Sequence, residues 1–284
     1  MNGPARARFS DGRWHFQHGP IDLLIGAEGD SAAVAASVEA CWHAFQEVLP
    51  ALVSELAELR SPCTPALEVH GPVARRMLRA CRPFAEDFGL FVTPMAAVAG
   101  AVADHLISCF DRPGVARAYV NNGGDIALRL APGQWFDIGR IVDLAAPRAD
   151  ACMRIAAADP VRGVATSGWR GRSFSFGIAD AVTVLAADAA AADAAATLIA
   201  NQVNVASPLV RRAPAESLRD DSDLGSRLVT VHVPPLAPAL VHEALDRGAA
   251  FARACVERGW IHAALLTVQG RSRVVDRRAE PALA

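Results

Sequence analysis

The spacing of apolar residues changes from helical to strand-like at Asp111-Arg112-Pro113-Gly114, and that change constrains the fold more than any other feature. Before it lie two short strands, residues 13–16 and 21–25, around a His18-Gly19-Pro20 turn, and then apolar residues at helical spacing over 31–60, 72–87 and 95–110. Beyond it the period becomes strand-like over 115–121, 125–130, 135–139, 151–157, 162–166 and 179–185, joined by short turns. Strands so connected pair antiparallel, because a parallel pair needs a long crossover. An Ala-rich helix over 188–203, a mixed polar loop over 211–226, a strand at 228–233, a helix at 238–258 and a strand at 261–268 complete the pattern. Helices segregate from strands, which predicts an α+β fold: one domain over 1–270, followed by a polar, flexible tail at 271–284.

Finer expectations attach to particular residues. Ser31 offers an N-cap for the first helix, and Pro50 should kink or divide it. Thr93 reads as a cap with Pro94 at the first helical position, and the small side chains after it allow close helix packing. Asp104 and His105 are the charged or titratable members of that Ala-rich segment apart from Cys109.

The bulk numbers exclude whole classes. At 284 residues and 52% hydrophobic, the chain buries a large core, and its formal net charge is −2. Its 28 Lys+Arg are all Arg and are scattered, so no basic stripe follows a nucleic-acid backbone. Residues 1–10 have no apolar run behind Arg6 and Arg8, so neither a secretory signal nor a membrane span is expected, and the chain is assigned to the cytoplasm. Six widely spaced cysteines without a Cys-x-x-Cys pair read as buried free thiols. Cys63, in Ser61-Pro62-Cys63-Thr64-Pro65, is the one in a Pro-framed loop, either a plain loop cysteine, the favoured reading, or an accessible reactive thiol. The eight histidines give no helical His-x-x-x-His pair, so a zinc site is not expected.

Four groups of residues could carry chemistry. Asn121-Asn122-Gly123-Gly124-Asp125 joins two strands, and its glycines permit positive φ with backbone N–H groups free for an anion; taken alone it reads first as a hairpin. Thr166-Ser167-Gly168 puts two hydroxyls at a bend, with Arg170 and Arg172 downstream as phosphate partners; a Ser/Thr turn with solvated arginines explains it equally well. Asp193 and Thr197, four apart on the Ala-rich helix, share one face and present the hard oxygens that Mg2+ takes, while a solvated Asp and a back-bonded Thr are the plainer reading. Asp180 begins an apolar strand and is a second candidate carboxylate. There is neither a Gly-x-x-x-x-Gly-Lys-Ser/Thr loop nor a complete Gly-x-Gly-x-x-Gly.

The glycine-rich strand turn, then Thr166-Ser167-Gly168, a strand, and Ala192-Asp193-Ala194-Ala195-Ala196-Thr197 resemble, over roughly residues 90–205, the ApbE-like superfamily, whose best-known members are Mg-dependent flavin transferases. Residues 93–104 and Ser175-Phe176-Gly177-Ile178-Ala179-Asp180-Ala181 look like the UPF0280 group within it, and these two stretches are the most specific in the chain. The resemblance implies a layered, T-fold-like antiparallel sheet with helices packed against it. It further implies Mg2+ on Asp193 and Thr197, FAD or FMN bordered by Asn122, Gly123, Gly124 and Asp125, and a pocket lined by Thr166, Ser167 and Gly168.

Two positions depart from the flavin transferases. The family Lys falls at Ala99, ahead of Gly100 and Asp104, and no His lies between Thr166 and Asp193, where a His-x-x-Asp-Pro segment would follow. Asp180 and Cys63 remain as catalytic candidates. The expected function is binding of a flavin nucleotide or other phosphorylated ligand with Mg2+, ahead of retained FMN transfer. The alternatives are an accessory role in sulfur metabolism, through homocysteine formation and with Cys63 as the thiol, and a non-catalytic scaffold. The expected partner is a small nucleotide-like ligand, with neither nucleic acid nor membrane, and the expected assembly is a homodimer.

Overall fold

The computed structural model describes residues 3–141 and 149–276. In chain order these form β1 (Ala5–Arg8), β2 (Trp14–His18), β3 (Ile21–Gly29), α1 (Ser31–Ser54), α2 (Leu56–Leu59), α3 (Pro72–Phe88) and α4 (Val98–Ile107). There follow β4 (Val115–Asn122), β5 (Asp125–Leu130), β6 (Trp135–Ile141), β7 (Ala149–Ala156), β8 (Gly163–Ser167), β9 (Ala181–Ala186) and α5 (Ala189–Gln202). The last elements are β10 (Arg211–Pro214), α6 (Ala215–Leu218), β11 (Leu228–His232), α7 (Pro238–Glu257), β12 (Ala263–Val268) and β13 (Arg271–Asp276). The α+β class holds, with antiparallel strand pairing throughout the described ladders. Contacts divide the chain into two compact units, one of residues up to 164 with 187–191, the other of 165–186 with 192 onward.

In the first unit, β1, β2, β3, β4 and β5 pair in sequence order, and β5 then meets the start of β8 through Ile126↔Val164 and Ala127↔Gly163. Phe16, Leu23, Ile25, Ala118 and Val120 alternate along these strands into the core, and α1 supplies Cys41, Phe45 and Val48. The cap of α1 is Asp30 rather than Ser31: its Oδ1 accepts from Ala33 N at 2.9 Å. Pro50 does not divide α1, which runs on to Ser54. Pro94–Ala97 is a 3-10 turn ahead of α4 rather than its first turn, and Thr93 makes no side-chain cap. Strands β6 and β7 pair with each other as a separate ribbon instead of joining the sheet.

In the second unit, β9 pairs with β12 and β12 with β13. Residues 271–276, expected as the start of a frayed tail, form β13: Val275 is buried opposite Ala264, and Gln269 and Gly270 take the positive φ of a two-residue hairpin turn. Residues 277–284 lie outside the described residues. The polar stretch 211–226, expected as a loop, begins with β10 paired to β11 and continues into α6. Among the described residues no helix is long and apolar enough to cross a membrane.

Candidate functional site

Helix α5 is the element from which the candidate site is built. It begins in the first unit and continues in the second. Its alanines, with Leu198 and Ile199, are almost all buried. Asp193, Thr197 and Asn201 fall at intervals of four, a polar stripe on a helix otherwise apolar up to its terminal Gln202. The rise along that stripe is about 12 Å, at about 1.5 Å per residue. Asp193 is 9% exposed, and Thr197 and Asn201 are half-buried.

The start of α5 is held within the first unit. Asp104 Oδ1 accepts from Ala189 N at 2.9 Å and Oδ2 from Ala190 N at 2.8 Å. These N–H groups have no partner inside the helix, so the α4 carboxylate satisfies two of them at the positive end of the helix dipole. Asp188 Oδ1 accepts a third, from Ala191 N, at 2.7 Å. Close approach demands glycine here: a Cβ on Gly100 would lie 2.2 Å from Ala189 O, and one on Gly163 would lie 2.1 Å from Asp188 O. Burial, reinforced by the Asp188 charge, nevertheless raises the Asp104 carboxyl to about 6, outweighing the two backbone hydrogen bonds.

The end of α5 is held within the second unit. Asn201 Oδ1 accepts from Phe176 N at 2.9 Å and from the Ser175 hydroxyl at 3.1 Å. A Cβ on Gly177 would fall 1.9 Å from Ala200 O, so this segment crosses the helix end at backbone contact. Asn204 Nδ2 donates to Phe176 O at 2.9 Å, and its Oδ1 accepts from Val205 N and, at 2.6 Å, from Arg212.

The remaining candidates are placed as follows. Asn122 and Asp125 pair across the β4–β5 turn, where Gly123 and Gly124 have φ of 67° and 115°. Gly124 N donates to Asn121 Oδ1 at 2.8 Å, so one N–H expected for an anion is already used. Buried Asn122 donates to Ala99 O at 3.1 Å. These residues belong to the first unit, as does Cys63, while Thr166, Ser167, Gly168, Asp180, Asp193 and Thr197 belong to the second. Thr166 shares a hydrogen bond of 2.9 Å with the Thr183 hydroxyl, and a Cβ on Gly168 would lie 2.5 Å from Asp180 O.

Asp180, 13% exposed at its side chain, accepts from Gln269 N and from Trp169 Nε1 at 3.3 Å, and pairs with Arg170 at 3.1 Å. Its carboxylate ties the segment after Gly168 to the β12–β13 turn. Of the two readings of Cys63, the accessible loop thiol does not hold: the residue is 8% exposed, and its N donates to Val92 O at 2.8 Å, which draws the loop inward. The Cys81 thiol, through a hydrogen bond, and the Arg82 charge lower the Cys63 thiol from its ordinary value. Cys41 and Cys109 form a second such pair, in which Cys109 is drawn down to about 7 and Cys41 is pushed up. The spacing of the cysteines gives no signal of either pairing, since each joins separate elements.

A pocket of about 500 Å³ in the second unit is lined by Phe176, Asn201, Asn204, Val205, Arg212 and Arg247, among others. Sequence reasoning missed Asn201, Asn204 and Arg212, although Asn201 continues the four-residue spacing of Asp193 and Thr197. An open groove of about 580 Å³ in the first unit, between the 67–70 loop and α3, is lined by Arg75, Arg79 and Arg82; Arg79 faces Asp188 and Arg82 faces Glu86. No group of three His, Cys, Asp or Glu placed to hold a metal occurs among the described residues.

A family model described as AbpE bacteria matches residues 6–274. The chain belongs to this bacterial AbpE family. As an AbpE-family member it is 36% identical over 193 residues to a UPF0280 protein of Methanosphaerula palustris, covering 67% of this chain and 77% of the relative. It spans about half the length of other UPF0280 relatives, such as that of Methanothrix thermoacetophila, at 38% identity over 137 residues and 46% of this chain. The crystal structure of the ApbE protein of Thermotoga maritima covers 95% of this AbpE-family chain, and 96% of its own, with a TM-score of 0.51 at 13% identity, a likeness of fold. The apo form of the Pseudomonas stutzeri flavinyl transferase ApbE gives a TM-score of 0.46 at 14% identity, over 97% of this chain and 94% of its own.

Proposed function

We propose that this AbpE-family protein binds a flavin nucleotide, or another phosphorylated ligand, together with Mg2+, and that Asp193 and Thr197 hold the cation. The observation that carries the reading is the nearly buried Asp193 carboxylate, one helical turn from the Thr197 hydroxyl. The donor set fits Mg2+ chemically. A carboxylate and a hydroxyl are hard ligands, and a small number of protein ligands leaves positions for water and phosphate oxygens, as Mg2+ sites commonly have. When bound, the cation would neutralise charge on the phosphates.

The chain's own residues support binding more than group transfer. Ala99 brings no cation where the flavin transferases carry Lys, and no imidazole lies between Thr166 and Asp193 to take a proton from an acceptor hydroxyl. Thr166 and Ser167 present hydroxyls at the end of β8, beside the segment that Asp180 fixes. The alternative, an accessory role in sulfur metabolism, would have to act through a Cys63 thiol that is 8% exposed.

The decisive experiment is a fluorescence titration of the protein with FAD, with and without Mg2+, alongside Asp193→Ala. Saturable binding that needs both the cation and the carboxylate is expected. Binding that is the same with or without Mg2+, and the same in the variant, would remove the cation from the reading, and absence of binding would remove the flavin.

A further inference from the structure

The pocket beside the end of α5 contains a guanidinium that has no acid partner among the described residues. Arg212 lies half-buried in β10, and burial lowers its guanidinium with no carboxylate charge to offset the cost. Its hydrogen bond goes to the Asn204 side-chain oxygen at 2.6 Å, a neutral acceptor. The neighbouring cation on the pocket wall, Arg247, is already paired with Glu243 at 2.9 Å. A cation near a helix C-terminus can serve that end by donating to its last carbonyls, but Arg212 donates to Asn204 instead. The helix dipole therefore does not account for this arginine.

The rest of the wall is rich in donors and rigidly set. Asn201 spends its side-chain oxygen on Phe176 N and the Ser175 hydroxyl, which fixes the amide and leaves its Nδ2 donors available in the pocket lining. Two hydrogen bonds besides that from Arg212 hold Asn204, its Nδ2 to Phe176 O and Val205 N to its Oδ1, and they set the acceptor that orients Arg212. Phe176, Val205 and Ala206 supply an apolar side. Two fixed donor groups facing an apolar wall, with a full positive charge lacking a counter-charge, match a small organic molecule that ends in an oxyanion.

We propose that this pocket is a binding site for a small organic oxyanion, a carboxylate or phosphate monoester, with Arg212 and Asn201 as donors and Phe176 against the organic body. The Asp193–Thr197–Asn201 stripe leads to it along α5. The site needs no metal, so it stands independently of the Mg2+ reading.

Calorimetric titration in EDTA with phenyl phosphate, phenylacetate and benzyl alcohol tests this. At least one of the two anions is expected to bind saturably and the alcohol not to bind. Phenyl phosphate alone would assign a phosphate ligand, phenylacetate alone a carboxylate, and both a general oxyanion site. Arg212→Gln should weaken binding by about tenfold or more, the usual scale for a charge-assisted hydrogen bond. Ala206→Glu, at an exposed position in the lining, adds an acid to the pocket without removing the Asn204 bond, and should weaken binding similarly. Arg211→Gln, exposed on the same strand, should leave it unchanged. If Arg212→Gln fails to fold, Ala206→Glu decides. Absence of saturable binding by either anion, equal binding of the alcohol, or undiminished binding in Ala206→Glu would overturn the site. Because EDTA removes Mg2+, these failures are distinct from failure of the FAD titration.

Discussion

Burying a carboxylate against two backbone N–H groups sets opposed tendencies on Asp104. The donors favour the ion, burial and Asp188 favour the acid, and the folded carboxyl rises from 3.8 to about 6. An acid raised in the folded state keeps a proton there that the unfolded chain has released, so its contribution to stability is full below about pH 4 and falls as pH rises to about 6. A shift of about two units corresponds to roughly 3 kcal/mol at most. Urea unfolding of the wild type and Asp104→Asn at pH 4 and pH 7 should show the wild type losing ground to the variant by about 1–3 kcal/mol over that interval; a gap that stays constant would mean that Asp104 titrates normally. The Gly100 and Asp104 pattern was legible in the sequence, but its work was not: the partners are backbone groups 85 and 86 residues away. Gly177 is the counterpart at the other end of α5. Gly177→Ala should cost about 1–3 kcal/mol through forced backbone displacement, read as a lower midpoint in thermal unfolding.

At the scale of elements, periodicity placed the long helices and ten of the thirteen described strands, and missed β1, β10, β13 and the short α6. Caps, turns and edge strands depend on single hydrogen bonds rather than on repeated patterns. Ser31 and Asp30 are both good N-cap residues, and sequence cannot choose between them; the oxygen that reaches Ala33 N belongs to Asp30. Asp30→Ala should therefore cost about 1 kcal/mol while Ser31→Ala costs almost nothing, a difference measurable by chemical denaturation; equal costs would return the cap to Ser31. Strand β13 was missed because Val275 alone of its residues is buried and its polar residues fall on both faces, so an edge strand without alternation reads as a tail. The ribbon of β6 and β7 was read as part of the sheet because a strand's period does not reveal its neighbour.

At the scale of the molecule, the family and the fold class could be read from motif order, the Gly-Gly turn, the Thr-Ser-Gly bend and the Asp-x-x-x-Thr helix following one another along the chain. The oxyanion pocket could not, because Phe176, Asn201 and Arg212 meet through folding and each is unremarkable where it stands in the chain. The burial of α5 has a further consequence, for exchange with solvent deuterium. Amides inside a buried helix exchange when the structure around them opens, so they report the stability of the surrounding body. Helix α5 contributes Ala189–Ala191 to one compact unit and the residues from Ala192 onward to the other. Its deuterium uptake is thus a single reporter of two bodies: one rate along the helix would mean that they open together, and a step after Ala191 would show one opening before the other.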